Sequence, residues 1–474
     1  MNVKLVLYNV DRSGEEGHPP LGLAYLASYL KEKIGFDNII IVDKVTNPIK
    51  SILKQNPDII GISSCTSEFE KAKQIAREIK IRKNIPIILG GPHITVLPNL
   101  LTNSFDIGVI GEGEETLKEI MENFLKNKKL ELKWLKKIKG ICYHANNEIK
   151  INKRRELIKN LDSIPLPNRD LFDMEGYYLK PRRAGATAKL SRATHIITSR
   201  GCPYRCVFCA SSAFWKGIRF SSAERVVEEI KLLVKKYKVE EIAILDDLFP
   251  ADLERLRKIV ELLEENNLLG KIKFAALTRV NLMDDERCAL LKKMDVTILS
   301  LGFESQSQKV LSYLKNNTTT IEQNQKAMEI AKRYGFDVSG FFMIGAPNET
   351  KEDMLKTLHF IKSNPMISAG VCTVTPYPGT VLWEYAKSRG LVSDNMNWEK
   401  LNLHPTNKDF ILLDEEMNRK EFFKIYSLFM KETEKRGYKI KFEMSKLLSV
   451  FMIKKVLRNP SQALKYFYYS FIKR

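Results

Sequence analysis

Three cysteines within eight residues are the feature that most narrows what this chain can be. Cys202, Cys206 and Cys209 lie in the segment SRGCPYRCVFC, which follows a predicted strand and contains Gly201 and Pro203 as turn residues. Three thiolates on one short loop can hold three irons of a 4Fe–4S cluster and leave the fourth iron open. A structural zinc site is the alternative, but zinc usually takes four protein ligands, commonly as two separated pairs. The sequence has no second pair, so the pattern favours a cluster with an open iron.

The other four cysteines are scattered, at Cys65, Cys142, Cys288 and Cys372. They form no second group of thiolates, so no second cluster is predicted. Each is expected to behave as a small buried hydrophobe. A disulfide framework is not expected, because we predict a cytoplasmic protein and the cytosol keeps thiols reduced.

The segment 191–395 alternates between strand-like and helix-like patterns. Six short apolar runs are strand candidates: 194–200, 240–247, 272–280, 296–305, 337–345 and 370–377. Six such units predict an incomplete (β/α)6 barrel, whose active site lies at the C-terminal ends of its strands. The cysteine loop follows the first of these runs, so the cluster is predicted at that end.

The segment 1–130 shows the same alternation with a different set of strands. Its five apolar runs are 3–10, 38–43, 58–64, 85–91 and 107–113. Continuous apolar runs are typical of parallel strands that are buried on both faces. We therefore predict an α/β fold that begins with a Rossmann-like doubly wound domain of about five strands.

Two further segments complete the predicted organisation. Residues 131–190 hold a Lys-rich stretch, a hairpin candidate near ICYHANNEIKI and the two prolines of IPLPNRDLF, and they are predicted to be a connector. Residues 396–474 are predicted to form a basic helical C-terminal region. A chain of 474 residues suits about three folded units at roughly 150 residues each.

With its cysteine loop at the end of a first barrel strand, the segment 191–395 resembles the radical S-adenosylmethionine (SAM) superfamily. Phe208, the aromatic residue beside the last cysteine, also fits that family's pattern. The resemblance implies that the open iron binds the amino and carboxylate groups of SAM. It further implies that reductive cleavage gives a 5′-deoxyadenosyl radical, with electrons from an external donor such as ferredoxin or flavodoxin.

The resemblance also implies SAM contacts at the ends of the later strands. Near the SAM amino group it places Asp246 and Asp247, for which helix N-capping is the alternative. The other implied contacts are Arg279 for positioning or carboxylate binding, Glu304 and Ser305 for the ribose or carboxylate, Gly345 for adenine or methionine, and Pro376 and Tyr377 for the adenine end. For the last three residues, a strained turn beside the barrel mouth is an equally good interpretation.

The N-terminal segment resembles the cobalamin-binding domain of one radical SAM branch through HPPLGLAYLASYL, GGPHITVLP and GEGEET. That branch includes the anaerobic Mg-protoporphyrin oxidative cyclase, lipid enzymes and radical SAM methyltransferases. The resemblance implies cobalamin at the C-terminal strand ends. The residues placed there are Ser63, Ser64, Gly90, Gly91, Gly111 and Gly113.

One element of many cobalamin domains is missing from the sequence. The Asp-x-His-x-x-Gly motif, whose His coordinates cobalt, does not occur. Cobalamin is therefore expected to bind without a protein His ligand. The alternative is that the chain has lost cobalamin binding. His93 is expected to be a loop residue that hydrogen-bonds locally rather than a cobalt ligand.

The predicted function is cobalamin-dependent methyl transfer to an unactivated carbon. The alternative is oxidative cyclisation or C–C bond formation on a lipid or tetrapyrrole, without methyl transfer. An RNA-modifying enzyme of the methylthiotransferase kind is less favoured, because such enzymes carry a three-cysteine cluster in the N-terminal domain, where residues 1–190 hold only Cys65 and Cys142. A non-catalytic cobalamin sensor leaves the cysteine loop unexplained.

The charge of +20 arises from 77 Lys and Arg residues against 57 acids. It suits a Lys-rich solvated surface as well as an anionic partner, and a nucleic-acid partner is not favoured. No run reaches the roughly 18 to 20 apolar residues of a membrane span, so a cytoplasmic protein is predicted. Residues 441–474, however, contain KLLSVFMIKKVL and ALKYFYYSFIKR. These are either basic amphipathic helices that contact a membrane peripherally or helices packed on the barrel.

Overall fold

The computed structural model describes residues 3–10, 18–178, 192–405 and 410–437. Two mainly parallel sheets dominate these ranges, one in each half of the chain, and helices cover them. The α/β class that the sequence predicts is confirmed. The segment 441–474, for which basic amphipathic helices are predicted, lies outside the described residues.

The first sheet has seven strands in the order β2-β1-β3-β4-β5-β6-β7. Its strands are β1 Leu5–Asn9, β2 Ile39–Val42, β3 Ile59–Ser63, β4 Ile87–Gly90, β5 Ile107–Val109, β6 Ile141–Ala145 and β7 Glu148–Ile151. The first five are parallel to one another, and β6 and β7 are antiparallel additions at one edge. The predicted hairpin therefore forms, and it extends the first sheet, although its residues lie in the segment predicted as a connector.

Helices pack on both faces of this sheet because its strands are apolar on both sides. The helices of this half are α1 Leu21–Ile34, α2 Pro48–Lys54, α3 Phe69–Arg82, α4 Pro92–Val96, α5 Glu114–Asn127, α6 Leu132–Leu135 and α7 Met174–Tyr178. Leu5 and Leu7 point into one core and Val6 and Tyr8 into the other, as the two-residue period of a strand requires. The doubly wound arrangement places the carboxyl ends of β1, β3, β4 and β5 along one edge.

The second sheet has six parallel strands in the order β15-β14-β13-β12-β11-β8. They are β8 Ala193–Ile196, β11 Glu241–Ile244, β12 Lys273–Thr278, β13 Val296–Glu304, β14 Asp337–Ile344 and β15 Ser368–Thr373. Strands β8 and β15 are its two edges and do not pair with each other. The predicted incomplete six-stranded barrel is thus confirmed. A separate antiparallel pair, β9 Ser199–Cys202 and β10 Gly217–Phe220, follows the first strand.

The helices of the second half follow the strands in alternation. They are α8 Ser211–Phe214, α9 Ala223–Tyr237, α10 Leu253–Glu265, α11 Asp285–Lys293, α12 Gln308–Lys315, α13 Ile321–Tyr334, α14 Lys351–Ser363, α15 Val381–Ser388 and α16 Arg419–Gly437. Side chains cap the N-termini of several of these helices. Thr320 forms a capping box at the start of α13, and Thr350 forms one at the start of α14. Helix α16 buries Phe422 and Phe429 completely. Within the described ranges, no helix is both long and apolar enough to cross a membrane.

Candidate functional site

The cysteine loop begins at the end of β9 and is shaped by one glycine. Gly201 has a φ of +95°, and a Cβ at this position would meet the Gly217 carbonyl and lie 2.7 Å from the Cβ of Trp215. Only glycine therefore allows β9 and β10 to approach this closely. The turn that follows presents three free cysteines, of which Cys206 is buried and Cys202 and Cys209 are half-buried.

The donor set of this loop suits a multi-iron cluster. In the described ranges, no group of three or more His, Cys, Asp or Glu side chains converges as ligands of one metal ion do. A 4Fe–4S cluster spreads its thiolate ligands over different irons, so its cysteines need not converge on a point. Burial raises the pKa of the Cys209 thiol to about 11. Metal binding would favour the thiolate form, because ligation and deprotonation of a cysteine are coupled.

The two aspartates after β11 face different surroundings. Asp246 is buried and accepts hydrogen bonds from the backbone N–H and the hydroxyl of Thr198, at 2.6 and 2.5 Å. Burial raises the pKa of Asp246, although its Thr198 hydrogen bonds act in the opposite direction. Asp247 is exposed to the cavity described below and accepts from the Ser211 hydroxyl at 2.5 Å. Asp246 thus fastens β11 to the end of β8, and Asp247 is the member of the pair that a ligand can reach.

The residues at the end of β13 are held by neighbouring helices. Glu304 adopts a φ of +60° and pairs with Lys315 of α12 at 2.7 Å, in a buried position. Ser305 is also buried, and its hydroxyl accepts from the Ser307 N–H and lies 3.3 Å from the hydroxyl of Thr357 on α14. The Glu304 pair lies near the cysteine loop, with the Lys315 ammonium 6.0 Å from the centroid of the Phe208 ring, whereas Ser305 is turned toward α14.

Gly345, Pro376 and Tyr377 contact other parts of the protein. Gly345 has a φ of +85°, and its missing side chain leaves room for Phe422 of α16, 2.9 Å from where a Cβ would lie. Its N–H donates to the buried carboxylate of Glu349 at 2.7 Å. Pro376 is buried, and the Tyr377 hydroxyl donates to the Leu401 carbonyl at 3.3 Å. The side-chain space of Gly345 is therefore used for helix packing.

Arg279, after β12, also lies at the cysteine loop. Its guanidinium donates to the sulfur of Cys206 at 3.3 Å. Arg279 thus contacts the cysteine loop directly, and Glu304 is linked to it through Lys315. Ser305 and Gly345 pack against α14 and α16, whereas Tyr377 packs in the same core as Val207 and Phe208 of the loop.

A cavity of about 440 Å³ lies between the two sheets. Its walls combine the carboxyl edge of the first sheet with the first strands of the second. Residues of the first sheet and its loops that line it include Asn9, Ser63, Gly90, Gly91, Gly111 and Gly113, and those of the second half include Ser199, Arg200, Gly201, Trp215, Leu245 and Asp247. The cavity thus joins the predicted cobalamin edge to the strand that leads into the cysteine loop.

The glycines at this cavity give a flat ligand access to the backbone. A Cβ at Gly22, Gly90 or Gly111 would have open space around it, so no protein atom covers these positions. Gly91 is different, because a Cβ there would lie 2.6 Å from the Ser64 carbonyl oxygen. Ser64 itself is buried and does not line the cavity, and its hydroxyl donates to the Cys65 carbonyl. The open backbone beside this cavity would let one face of a cobalamin approach the edge of the sheet.

His93 lies outside this cavity. Its ring stacks on Phe69 at 3.8 Å between centroids and meets Trp398 edge-on at 5.0 Å. It is completely buried, and neither ring nitrogen has a hydrogen-bond partner. The expected local hydrogen bonds of the side chain are therefore absent, and burial lowers the pKa of His93 to about 3. The ring serves as an apolar packing element.

Four charged residues at the boundary of the two halves were not predicted from the sequence. Arg200 pairs with Glu112 at 2.6 Å and with Glu114 at 2.5 Å, and Arg219 also pairs with Glu112. Glu112 and Glu114 belong to the GEGEET segment, where only the glycines were singled out. The signal was present, since two acids in a glycine loop at a strand end suggest a charged contact, but the partners lie 86 to 107 residues away.

The fold and site together define a radical SAM enzyme with a B12-binding domain. Residues 196–361 match the radical SAM superfamily and residues 10–121 match the B12 binding domain. An uncharacterized methyltransferase of Pyrococcus horikoshii is 36% identical over 393 residues, which cover 81% of each chain. The anaerobic magnesium-protoporphyrin IX monomethyl ester cyclase of Rubrivivax gelatinosus is 30% identical, over 85% of this chain and 72% of the cyclase. The chain belongs to the radical SAM family that carries a cobalamin-binding domain.

A solved structure shares this architecture. The radical SAM methyltransferase TsrM of Kitasatospora setae, with cobalamin and a 4Fe–4S cluster bound, superposes with a TM-score of 0.67 at 18% identity. The match covers 83% of this chain and 76% of TsrM. Family membership makes the protein an enzyme whose cofactors are a 4Fe–4S cluster, SAM and cobalamin. A small-molecule substrate and a need for a reductant are consistent with this family.

Proposed function

We propose that this protein is a cobalamin-dependent radical SAM methyltransferase that acts on an unactivated carbon of a small molecule. One observation carries the proposal: a single cavity is lined by the carboxyl edge of the B12-binding sheet and by the strand that leads into the cysteine loop. Two cofactors bound at these places would face the same cavity. Both must reach one substrate there for a methyl group to be transferred to the carbon from which hydrogen is removed.

The proposed roles of the residues follow from their positions. Cys202, Cys206 and Cys209 hold the cluster, and Asp247 accepts from the SAM amino group at the cavity wall. When bound, the cluster and SAM supply a radical that removes hydrogen from carbon, and cobalamin supplies the methyl group. Glu304 keeps its ion pair with Lys315 and orients the end of β13 toward SAM.

Apolar side chains of the cavity have a second task. Ile197, Trp215 and Leu245 line it on the barrel side, and Leu161 and Ile164 of the connector line it next to α1. They keep water from the reacting atoms and offer an apolar surface to the substrate. The substrate is thus expected to present an apolar carbon framework here.

We propose a role for each of the four segments whose boundaries the sequence predicts. Residues 1–130 supply the cobalamin edge, 131–190 connect and also contribute β6 and β7 to the first sheet, 191–395 bind the cluster and SAM, and 396–474 are the basic helical C-terminal region. Within the last segment, Phe422 of α16 packs directly on Gly345.

The decisive experiment uses methyl-deuterated SAM with the anaerobically reconstituted full chain and candidate substrates drawn from extracts of a deletion strain. Methyl transfer requires deuterium in the product and S-adenosylhomocysteine alongside 5′-deoxyadenosine. The Cys206→Ala variant is the matched control. It should give neither labelled product nor 5′-deoxyadenosine. Substrate turnover with 5′-deoxyadenosine but without label or S-adenosylhomocysteine would contradict methyl transfer.

That contrary outcome is the signature of the second candidate, an oxidative cyclase or C–C bond-forming enzyme. The 30% identity to the magnesium-protoporphyrin cyclase supports it. The methyl-transfer proposal is preferred because the relative at 36% identity carries a methyltransferase name. An RNA-modifying reaction is not proposed.

Two partners are also proposed, an electron donor and a membrane surface. We take the electron donor to be a low-potential protein of the ferredoxin or flavodoxin kind. Peripheral contact with an anionic membrane through residues 441–474, and with it a lipid substrate, is supported by the basic aromatic pattern of that segment.

A further inference from the structure

Arg279 follows β12 directly, and its guanidinium lies against the cysteine loop on two sides. The Nη1 group donates to the sulfur of Cys206 at 3.3 Å, and the guanidinium carbon lies 3.6 Å from the centroid of the Tyr204 ring. The side chain is buried, with 7% of its surface exposed. A planar cation is therefore sandwiched between an aromatic face and a predicted cluster ligand.

The rest of the guanidinium is fixed by hydroxyl and amide oxygens. Its Nη2 group donates to Thr318 Oγ1 and Thr319 Oγ1, both at 2.8 Å, and Nε donates to Asn281 Oδ1 at 3.2 Å. The Asn281 amide in turn donates to the Tyr204 hydroxyl at 2.7 Å. These partners are neutral, so the positive charge of Arg279 is not cancelled by a carboxylate that it contacts.

The other charges near the loop differ in this respect. Lys315, which lies 6.0 Å from the Phe208 ring, is neutralised by Glu304. Asp247 is an anion on the cavity side. Among the described residues, Arg279 is the cation that donates a hydrogen bond to one of the three cysteine sulfurs.

An uncancelled buried cation that hydrogen-bonds a thiolate ligand has a known electrostatic effect. When one electron enters a cluster, the total charge of the cluster and its ligands becomes more negative by one. A nearby N–H donor and a positive charge stabilise that reduced state, and low solvent exposure strengthens both effects. The effect acts through Cys206, without contact between Arg279 and the substrate.

We infer that Arg279 is a positioning residue that raises the reduction potential of the cluster through Cys206, instead of serving mainly as a ligand of the SAM carboxylate. The inference rests on the proposed assignment of Cys202, Cys206 and Cys209 to the cluster. The electron comes from an external low-potential donor, and Arg279 keeps its proton throughout the step. Loss of the guanidinium should make the cluster harder to reduce, whether or not SAM is present.

The test is a dithionite titration of the anaerobically reconstituted full chain without SAM, followed by the electron paramagnetic resonance signal of the reduced cluster. In Arg279→Gln the equilibrium constant for reduction should fall at least about tenfold, which is 59 mV for a one-electron couple. Arg279→Lys keeps the charge and loses the fork, so its shift should be smaller. The dissociation constant for SAM, measured separately by equilibrium dialysis, should change by a smaller factor than the equilibrium constant for reduction.

Arg205→Gln is the matched control. Arg205 precedes Cys206 in the sequence, but it is exposed and donates to the carbonyls of Ser212 and Trp215. Solvent screens its charge, so its removal should leave the potential nearly unchanged.

Four other results are informative. If the wild-type protein holds no iron after reconstitution, the proposed function itself is refuted. A loaded Arg279→Gln variant with an unchanged potential, or a shift equal to that of Arg205→Gln, overturns the inference alone. If Arg279→Gln does not assemble a cluster, Arg279→Lys decides by the same measurement. Failure of both variants to hold iron also overturns the inference, because Arg279 is then needed for assembly.

Discussion

Arg200 and Glu112 form an ion pair of 2.6 Å that joins the strand leading into the cysteine loop to the carboxyl edge of the B12-binding sheet. Arg200 also binds Glu114, and Arg219 adds a second cation to Glu112. The backbone N–H of Ile158, in the connector, donates to the same carboxylate at 2.7 Å. Glu112 is therefore the point at which the two sheets and the connector meet.

We expect Glu112→Gln to lower the free energy of unfolding by about 3 kcal/mol, because it leaves two partly buried guanidinium groups undercompensated. The loosened boundary should also weaken cobalamin retention on gel filtration. Urea denaturation measures the first effect and corrinoid absorbance the second. Glu119→Gln, which removes the half-exposed partner of Arg155, should cost less than about 1 kcal/mol. Equal losses in both variants would show that the boundary pairs have no special weight.

Replacing Cys202, Cys206 or Cys209 singly by Ala should abolish cluster binding, because two thiolates remain for a cluster that needs three from this loop. Iron and sulfide analysis after anaerobic reconstitution measures the loss. Cys288→Ala and Cys142→Ala should retain full iron, since both thiols are buried elsewhere. Stoichiometric iron and SAM cleavage in any of the three loop variants would refute the assignment.

We expect His93→Phe to keep its cobalamin and to be stabilised by about 1 kcal/mol, because two buried nitrogens without partners are removed. The low pKa of His93 means that the folded ring stays neutral where the unfolded ring gains a proton. Wild-type stability should therefore fall as the pH decreases below about 6.5, with a weaker decrease in the variant. Phe69→Ala, which removes the stacking partner, should instead destabilise by about 3 kcal/mol. Loss of the corrinoid spectrum in His93→Phe would mean that His93 binds cobalt after all.

Burial raises the pKa of Glu349 to about 8, although the N–H groups of Gly345 and Ala346 donate to its carboxylate. The folded protein thus keeps a proton that the unfolded chain loses above its usual pKa of 4.5. Stability should therefore decrease as the pH rises from about 4.5 to about 8. Glu349→Gln should reduce this decrease by about 2 kcal/mol or more in urea titrations at pH 5 and pH 8. Glu352→Gln, exposed in the first turn of α14 just after Glu349, should leave the slope unchanged, and an unchanged slope in both would contradict the shift.

If residues 441–474 bind membranes, vesicles that contain anionic lipid should recruit the full chain in a flotation assay at low salt. Recruitment should weaken with added salt, because the attraction is electrostatic. Replacing Lys454 and Lys455 by Glu should reduce it severalfold, and neutral vesicles serve as the control. No flotation with anionic vesicles would remove both the membrane proposal and the lipid substrate.

The sequence by itself determined the parallel strands of both sheets and the chemistry of the loop. Continuous apolar runs separated by helical patterns encode parallel strands, because each strand must be buried on both faces. The spacing of Cys202, Cys206 and Cys209 is local, so the sequence alone shows that three thiols share one turn. It did not show that β6 and β7 join the first sheet, since pairing at a sheet edge depends on which strand is left unpaired there.

Only the tertiary structure decided which distant side chains meet. Arg279 lies 73 residues from Cys206 and Arg200 lies 88 residues from Glu112, and no spacing rule relates such positions. The structure likewise decided that Asp247 faces the cavity while its neighbour Asp246 is buried. Residues at the end of a strand point to opposite sides, and the packing of the adjoining strand and helices determines which side is open. The sequence thus fixes local geometry, whereas contacts between remote segments depend on how the whole chain packs.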